Sequence, residues 1–451
     1  MFLMEKEFLK MPGFGFTPDN GDEEESKGNN PFGFENFGEI FKQFSGMGLN
    51  LPALMASLSG QGSPASLSRE MIRDISRKYL SAHGEVPVTI QDLTQIQEAI
   101  NIADLWINEA TTFPSLPLTD SIALSRRDWI DSTLNGWQEL TKPLIDSMSA
   151  ALSAMLDQGL DGQGEANGIS IPGFGAMSIS KSSINAIMAT FMSSLISTQL
   201  GQSIGALSTT VTGANDVALP LSKEIKAQLL PQNVKAWGSG LEIAEAEIRI
   251  YLALREIAAA RLFTQSPWLR GYIADVISAY GSGIRIDISA ITESAHDAMN
   301  SGAIDPSNPE SMAHALSGGL FTPETSPAQG AALEKLETLL ALIEGWIDAV
   351  VVKAAADRLP SLIKLRESQS RRRATNSPTQ QLFATLLGLE VSPRLTREAF
   401  SFWEKLEKID SISARDKIWE EAFLLPTASQ LLDPEGFSKS RKVPDDLSGL
   451  I

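Results

Sequence analysis

The chain has 451 residues, 43% of them hydrophobic and 20% charged, the balance of a folded globular protein with room for two domains or three. Its formal net charge is -18, which repels phosphate backbones and anionic membranes, so neither nucleic acid nor a membrane is expected as a partner. It has no cysteine, which excludes disulfides, thiolate metal sites and a cysteine nucleophile; two glutamates in MFLMEKEFLK stand where a signal peptide needs its apolar core, no later segment offers the long charge-free apolar run of a membrane span, and the cytoplasm is the expected address.

Alanine, leucine and glutamate are common and alternating runs of strand formers are scarce, so a mainly α protein with few short strands is expected. Residues 1–64 mix an acidic run with Gly, Asn and Pro and are expected to be a disordered tail. Its phenylalanines, Phe32 to Phe44, either dock as a short amphipathic segment or have no fixed partner surface. A first helix is expected in SLSREMIRDISRKYLSAHG, between a serine cap and a glycine stop. His83 at its end interacts favourably with the helix C-terminus. Thr89 or Asp92 opens the next helix, where Ile96, Ile100, Ala103, Ile107 and Ala110 recur at helical spacing, and PSLPL ends it. A long helical stretch follows from Ser125, with a break expected near Pro143 and Trp129 and Trp137 on one packed face.

Residues 159–174 read as a loop. INAIMATFMSSLISTQLGQSIGALS reads as a buried central helix in which Gly201 and Gly205, one turn apart, admit a close neighbour. TGANDVALPL reads as a turn into an edge strand. A helix is expected over 243–264, with Ile248, Leu252, Arg255, Ala259 and Leu262 on one face. Helices then recur to a strongly apolar one from about Pro327 to Arg358, which carries Glu344. The basic run Arg371 to Arg373 reads as an exposed helix end, with an anion site as the alternative. Helices around 397–408 and 414–422 close the chain, with Thr427 as a later cap. The expected division is the tail 1–64, a helical domain 65–225 and a second helical domain 226–451.

The helix 243–264 raises a chemical question. A zinc protease helix reads His-Glu-x-x-His, because two imidazoles one turn apart can point at one ion while a carboxylate takes a proton from the bound water. Here Arg255, Glu256, Ile257, Ala258 and Ala259 stand in that frame, and only the glutamate is present. The chain has three histidines, His83, His296 and His314, and no two are spaced at i, i+4.

The segments PFGFENFGEIF, ADLWINEATTFP, GQSIGALS, LREIAAARLFTQSPWLRGYI, IDPSNPESMAHALSGGLF, LETLLALIEGWIDAVV, QLFATLLGLEVSPR and LLPTASQLLDPEGF span nearly the full chain. In combination they resemble an actinobacterial family of zinc-dependent metalloprotease-like hydrolases, some of them associated with biosynthesis genes for a deazaflavin coenzyme. The resemblance implies a zincin-like helical fold in which Glu256 matches the catalytic glutamate and Arg255 and Ala259 match the two zinc histidines. It also implies a third ligand from a later helix, for which Glu344 in EGWID is the candidate.

This chain departs from that pattern at both histidines. Arginine stays charged and accepts nothing, and alanine has no ligand atom, so neither metal nor cofactor is expected at 255, 256, 259 and 344, with Glu256 vestigial. Arg255 either ties Glu344 and Asp348 in a salt bridge where zinc would have joined the helices, or reaches out to solvent. Three readings follow: a non-catalytic zincin-like scaffold or peptide- or protein-binding protein, an active hydrolase using ligands recruited from elsewhere, and an ordinary helical protein. The resemblance implies a cleft beside the motif helix, where a peptide or protein segment, the aromatic tail included, lies without being cut. The oligomeric state stays open.

Overall fold

The computed structural model describes residues 68–117, 122–160, 181–283, 326–376 and 395–441. The expected tail 1–64, the 159–174 loop beyond residue 160, the segment 284–325 with His296 and His314, and QLFATLLGLEVSPR lie outside them. Among the described residues there are twelve α-helices.

The first helices begin where side chains can cap them. Helix α1 (Arg69–His83) opens with Ser68 accepting the Met71 N–H and closes on Gly84 at φ 78°, a left-handed turn that a glycine takes without a Cβ penalty. His83 ends α1, its Nδ1 2.9 Å from the Tyr79 carbonyl and its ring stacked on Tyr79. Helix α2 (Ile90–Ile107) opens with a reciprocal capping box between Thr89 and Asp92, which satisfies two otherwise orphaned N–H groups. Helix α3 (Arg126–Leu160) runs unbroken through Pro143, contrary to the expected break. Proline removes one ladder bond, while Leu140, Thr141, Leu144 and Ile145 beside it are all buried, so packing outweighs the lost bond.

Helix α4 (Lys181–Ser208) lies against α1. A Cβ on Gly201 would stand 2.8 Å from Ile75 Cβ, and one on Gly205 would stand 2.7 Å from Tyr79 Cβ. The Ser76 hydroxyl uses this closeness to donate to the Gly201 carbonyl at 2.9 Å. The expected edge strand in TGANDVALPL does not form. Among the described residues pairing is limited to isolated bridges, Leu229 with Ala123 in parallel and with Gly213 antiparallel. The reason is local: Asp216 accepts the Thr212 N–H and hydroxyl at 2.8 and 3.0 Å, which curls the segment into turns straight after Gly213.

Helices α5 (Pro231–Gly238), α6 (Glu245–Gln265) and α7 (Trp268–Ser282) follow, then α8 (Pro327–Ala355) with its Ser326–Gln329 capping box, α9 (Leu362–Asn376), α10 (Thr396–Ile409), α11 (Ile412–Lys417) and α12 (Pro434–Arg441). Helix α6 sits at the centre, against α2, α5, α8 and α9, and α8 also packs on α7 and α10. One buried apolar cluster runs from Ile72 to Phe437, across the division expected at 225/226. No described helix is long and apolar enough to cross a membrane.

Candidate functional site

Every residue of α6 from Tyr251 to Phe263 is buried. The expected face of Ile248, Leu252, Arg255, Ala259 and Leu262 is buried, and so is the rest of the helix in this stretch. Neighbouring helices and the crossed segments 212–215 and 228–230 cover it all round, and the three charged side chains in that stretch, Arg255, Glu256 and Arg261, must find partners inside the protein.

Arg255 meets two carboxylates of α8. Its Nη2 donates to Glu344 Oε2 at 2.6 Å and its Nη1 to Asp348 Oδ1. Glu344 and Asp348 are one turn apart, so one guanidinium fork spans both. The other Glu344 oxygen, Oε1, lies 2.9 Å from Nη2 of Arg373 on α9. That same Nη2 donates to the Asp216 carbonyl and Oδ1 at 2.8 and 2.9 Å, and Arg372 donates to the Thr210 carbonyl. The basic run is therefore only in part the exposed helix end expected. Arg371 faces solvent beside Glu367, while Arg372 and Arg373 turn inward to half-buried acceptors on Thr210 and Asp216. Burial alone would push the Asp216 carboxyl up, but Arg373 and Arg372 beside it, with the Thr212 N–H, hold it below the usual carboxylate range. Arg255, Arg372 and Arg373 stand against Asp216, Glu344 and Asp348, three charges of each sign, so the cluster is neutral within itself.

Glu256 points the other way round the helix. Its Oε1 accepts from Asn215 Nδ2 at 2.7 Å and from the Gln228 N–H at 3.2 Å, and its Oε2 from the Asn215 N–H at 3.1 Å. Gly213 makes room for it, since a Cβ there would lie 2.2 Å from Oε2. Burial pushes the carboxyl up to about 8, against the pull of the Gln228 and Asn215 donors and with a further push from Asp216. Glu256 lashes the 213–215 and 228 segments to α6. Ala259 lies one turn on, buried among apolar neighbours.

Two further buried arginines had no place in the sequence reading. Arg261 donates to the Phe113 carbonyl at 2.9 Å, to Asn108 Oδ1 at 2.8 Å, to Ser115 Oγ at 2.9 Å and to Asp104. Arg415 donates to the Ala110 carbonyl at 2.7 Å and pairs with Asp416, whose other oxygen accepts from Thr111 and Thr112. Together they staple the segment 104–115. The available signal was a charged residue inside an otherwise apolar helix, as at Arg261.

These residues do not fit a zinc ion. Arg255 puts a guanidinium between Glu344 and Asp348, Ala259 offers no donor atom, and Glu256 is turned into a separate cage of amide donors. Among the described residues no group of three or more His, Cys, Asp or Glu side chains is placed to hold a metal. His83 lies at an exposed helix end. A groove of about 250 Å³ lies near the N-terminal end of α6, lined by Asp92, Gln95, Lys235, Ser239, Glu245 and Arg249 among others, and none of Arg255, Glu256 and Glu344 lines it.

Residues 69–438 match the profile of a family described as zincin-like metallopeptidase. Among solved structures, the chain is similar to a candidate hydrolase with a novel fold from Chloroflexus aurantiacus, with TM-score 0.55 and 16% sequence identity, over 84% of this chain and 100% of that one. At that identity the likeness is one of fold. No curated protein matches the chain.

Proposed function

The chain belongs to the zincin-like metallopeptidase family, and we propose that it is a non-catalytic member, a scaffold or peptide- and protein-binding protein whose hydrolytic site has become a structural charge cluster. The observation that carries this is the position of Arg255. A divalent cation between two carboxylates relieves their repulsion, and a guanidinium does the same with two directed hydrogen bonds. It cannot, however, lower the pKa of a water molecule into a nucleophile as a metal does. Glu256 supports the same reading. A general base must be able to reach a substrate-side proton, and here both carboxyl oxygens face backbone and side-chain amides of 215 and 228. On this reading Arg255, Ala259 and Glu344 mark former ligand positions, and a peptide or protein is held without being cut in the groove near the N-terminal end of α6, away from those positions. The finer resemblance to actinobacterial members and the cytoplasmic address belong to the same proposal.

The test is the metal content of the full chain, purified without added metal or chelator, together with peptide hydrolysis with and without added zinc. The expected result is zinc far below one per chain and no zinc-dependent cleavage. Stoichiometric zinc together with cleavage abolished by Glu256→Gln would replace this reading with an active hydrolase that recruits ligands such as His83, His296 or His314.

A further inference from the structure

The inward-turned end of α9 is held differently from its start. Up to Leu365 the helix is anchored by a buried apolar side chain. From Arg366 to Ala374 the one buried residue is Gln369, which accepts from Trp237 Nε1 at 3.3 Å. This half is held by polar contacts: the Gln369 bond, Arg372 on the Thr210 carbonyl, and Arg373 on Asp216 and Glu344. Water does not replace an ion pair as little exposed as Arg373 with Asp216 and Glu344, but an equivalent guanidinium from another molecule makes the same contacts, whereas apolar burial needs a matching shape.

Beneath it lies a formed receptor. The Asp216 carbonyl and Asp216 Oδ1 both accept from Arg373 Nη2, and Glu344 Oε1 lies 2.9 Å from the same nitrogen as an ion pair without hydrogen-bond geometry. The acceptors do not depend on α9 for their position. Asp216 is fixed by the Thr212 N–H and hydroxyl, and Glu344 by Arg255. Arg255 and Arg373 share Glu344, but Arg255 comes from the central helix and Arg373 from the helix end above it. Guanidinium is less strongly hydrated than ammonium and loses less on entering such a place. The chain's net charge of -18 concentrates basic segments around it.

We infer that Asp216 and Glu344 form an arginine-recognition site that Arg373 occupies in cis, and that an arginine-bearing basic segment of a partner takes this site by displacing the C-terminal half of α9. The inference rests on the non-catalytic reading in one respect: the site holds arginine in place of metal. The two fail separately, because metal content decides the first and peptide binding the second.

The experiment is fluorescence anisotropy of a labelled acetyl-Gly-Arg-Arg-Arg-Ala-Gly peptide, and of its trilysine counterpart, against the full chain at physiological salt. Removing the in-cis occupant raises the fraction of molecules with an open site, and apparent affinity scales with that fraction. Arg373→Ala is therefore expected to bind the arginine peptide about tenfold or more tightly than the parent. The gain should be absent for the lysine peptide and lost on adding Asp216→Asn. Equal affinity of parent and Arg373→Ala, or equal gains for the two peptides, overturns the proposal in favour of diffuse attraction to an acidic surface. Should Arg373→Ala not fold, hydrogen exchange on the parent decides: excess arginine peptide should speed exchange of amides 367–374 and leave α8 unchanged, and no acceleration overturns the proposal.

Discussion

At Arg255 a single guanidinium bridges two carboxylates that sit one turn apart on α8. Truncating it leaves Asp348 without its guanidinium and Glu344 with Arg373 alone, an excess of negative charge inside the protein, so Arg255→Ala should cost about 3–5 kcal/mol, the range for breaking a buried pair, where a solvent-facing arginine costs under about 0.5 kcal/mol. Arg255→Ala combined with Glu344→Gln should recover part of that loss, since one negative charge goes with it. Chemical denaturation of the single and double variants reads the coupling directly, and additive losses would mean that the two side chains contribute independently. Glu256 gives a second residue-scale prediction. Its carboxyl is pushed from the ordinary 4.5 up to about 8 in the folded protein. Between those values the native state holds a proton that the unfolded chain has released, so this group's contribution is fully present below about pH 4.5 and is lost as pH rises through 8. Glu256→Gln removes that dependence. Its stability relative to the parent should climb between pH 5 and 8, by up to about 1.4 kcal/mol per pH unit, and level off above. Urea denaturation across that range checks it, and a flat difference would show that Glu256 is ionised throughout.

At the scale of elements, the α1–α4 contact depends on the absence of two side chains. Gly201→Ala or Gly205→Ala brings a Cβ to 2.8 Å from Ile75 Cβ or 2.7 Å from Tyr79 Cβ. Overpacking of this kind costs about 1–3 kcal/mol, reduced by the roughly 1 kcal/mol that alanine gains over glycine within a helix. A net loss measured by urea denaturation is expected for each. A gain would mean that the helices can separate without penalty. These glycines were legible in the sequence, as were a serine cap before the first helix and a cap at Thr89 or Asp92 before the second, because local spacing and local hydrogen bonding specify them; the structure puts the caps at Ser68 and Thr89. The edge strand in TGANDVALPL was misread for a related reason: Asp216 takes the Thr212 N–H and hydroxyl itself, and the apolar run after it carries no sign of that competition.

For the whole molecule, α2 packs on α6 and α8, and the buried cluster is continuous from Ile72 to Phe437. A single cooperative transition is therefore expected on thermal or urea unfolding. Phenylalanine replacements of the buried Trp137 and Trp346, which leave different tryptophans to report, should share one midpoint. Two separated midpoints would support independent folding on either side of residue 225.

The sequence by itself determined that the protein is helical, where several helices begin, and that the frame at 255–259 lacks both imidazoles, because periodicity, capping and ligand chemistry are properties of neighbouring residues. The tertiary structure alone decided where the charges go. Arg373 looked like a solvated helix end and lies instead beside Asp216 and Glu344. Glu256 looked like a vestigial base and is a buried cross-link to 215 and 228. A charged side chain's role is set by which carboxylates and amides the fold brings within about 3 Å and by how much water it removes, and those partners lie from 28 to 157 residues away along the chain.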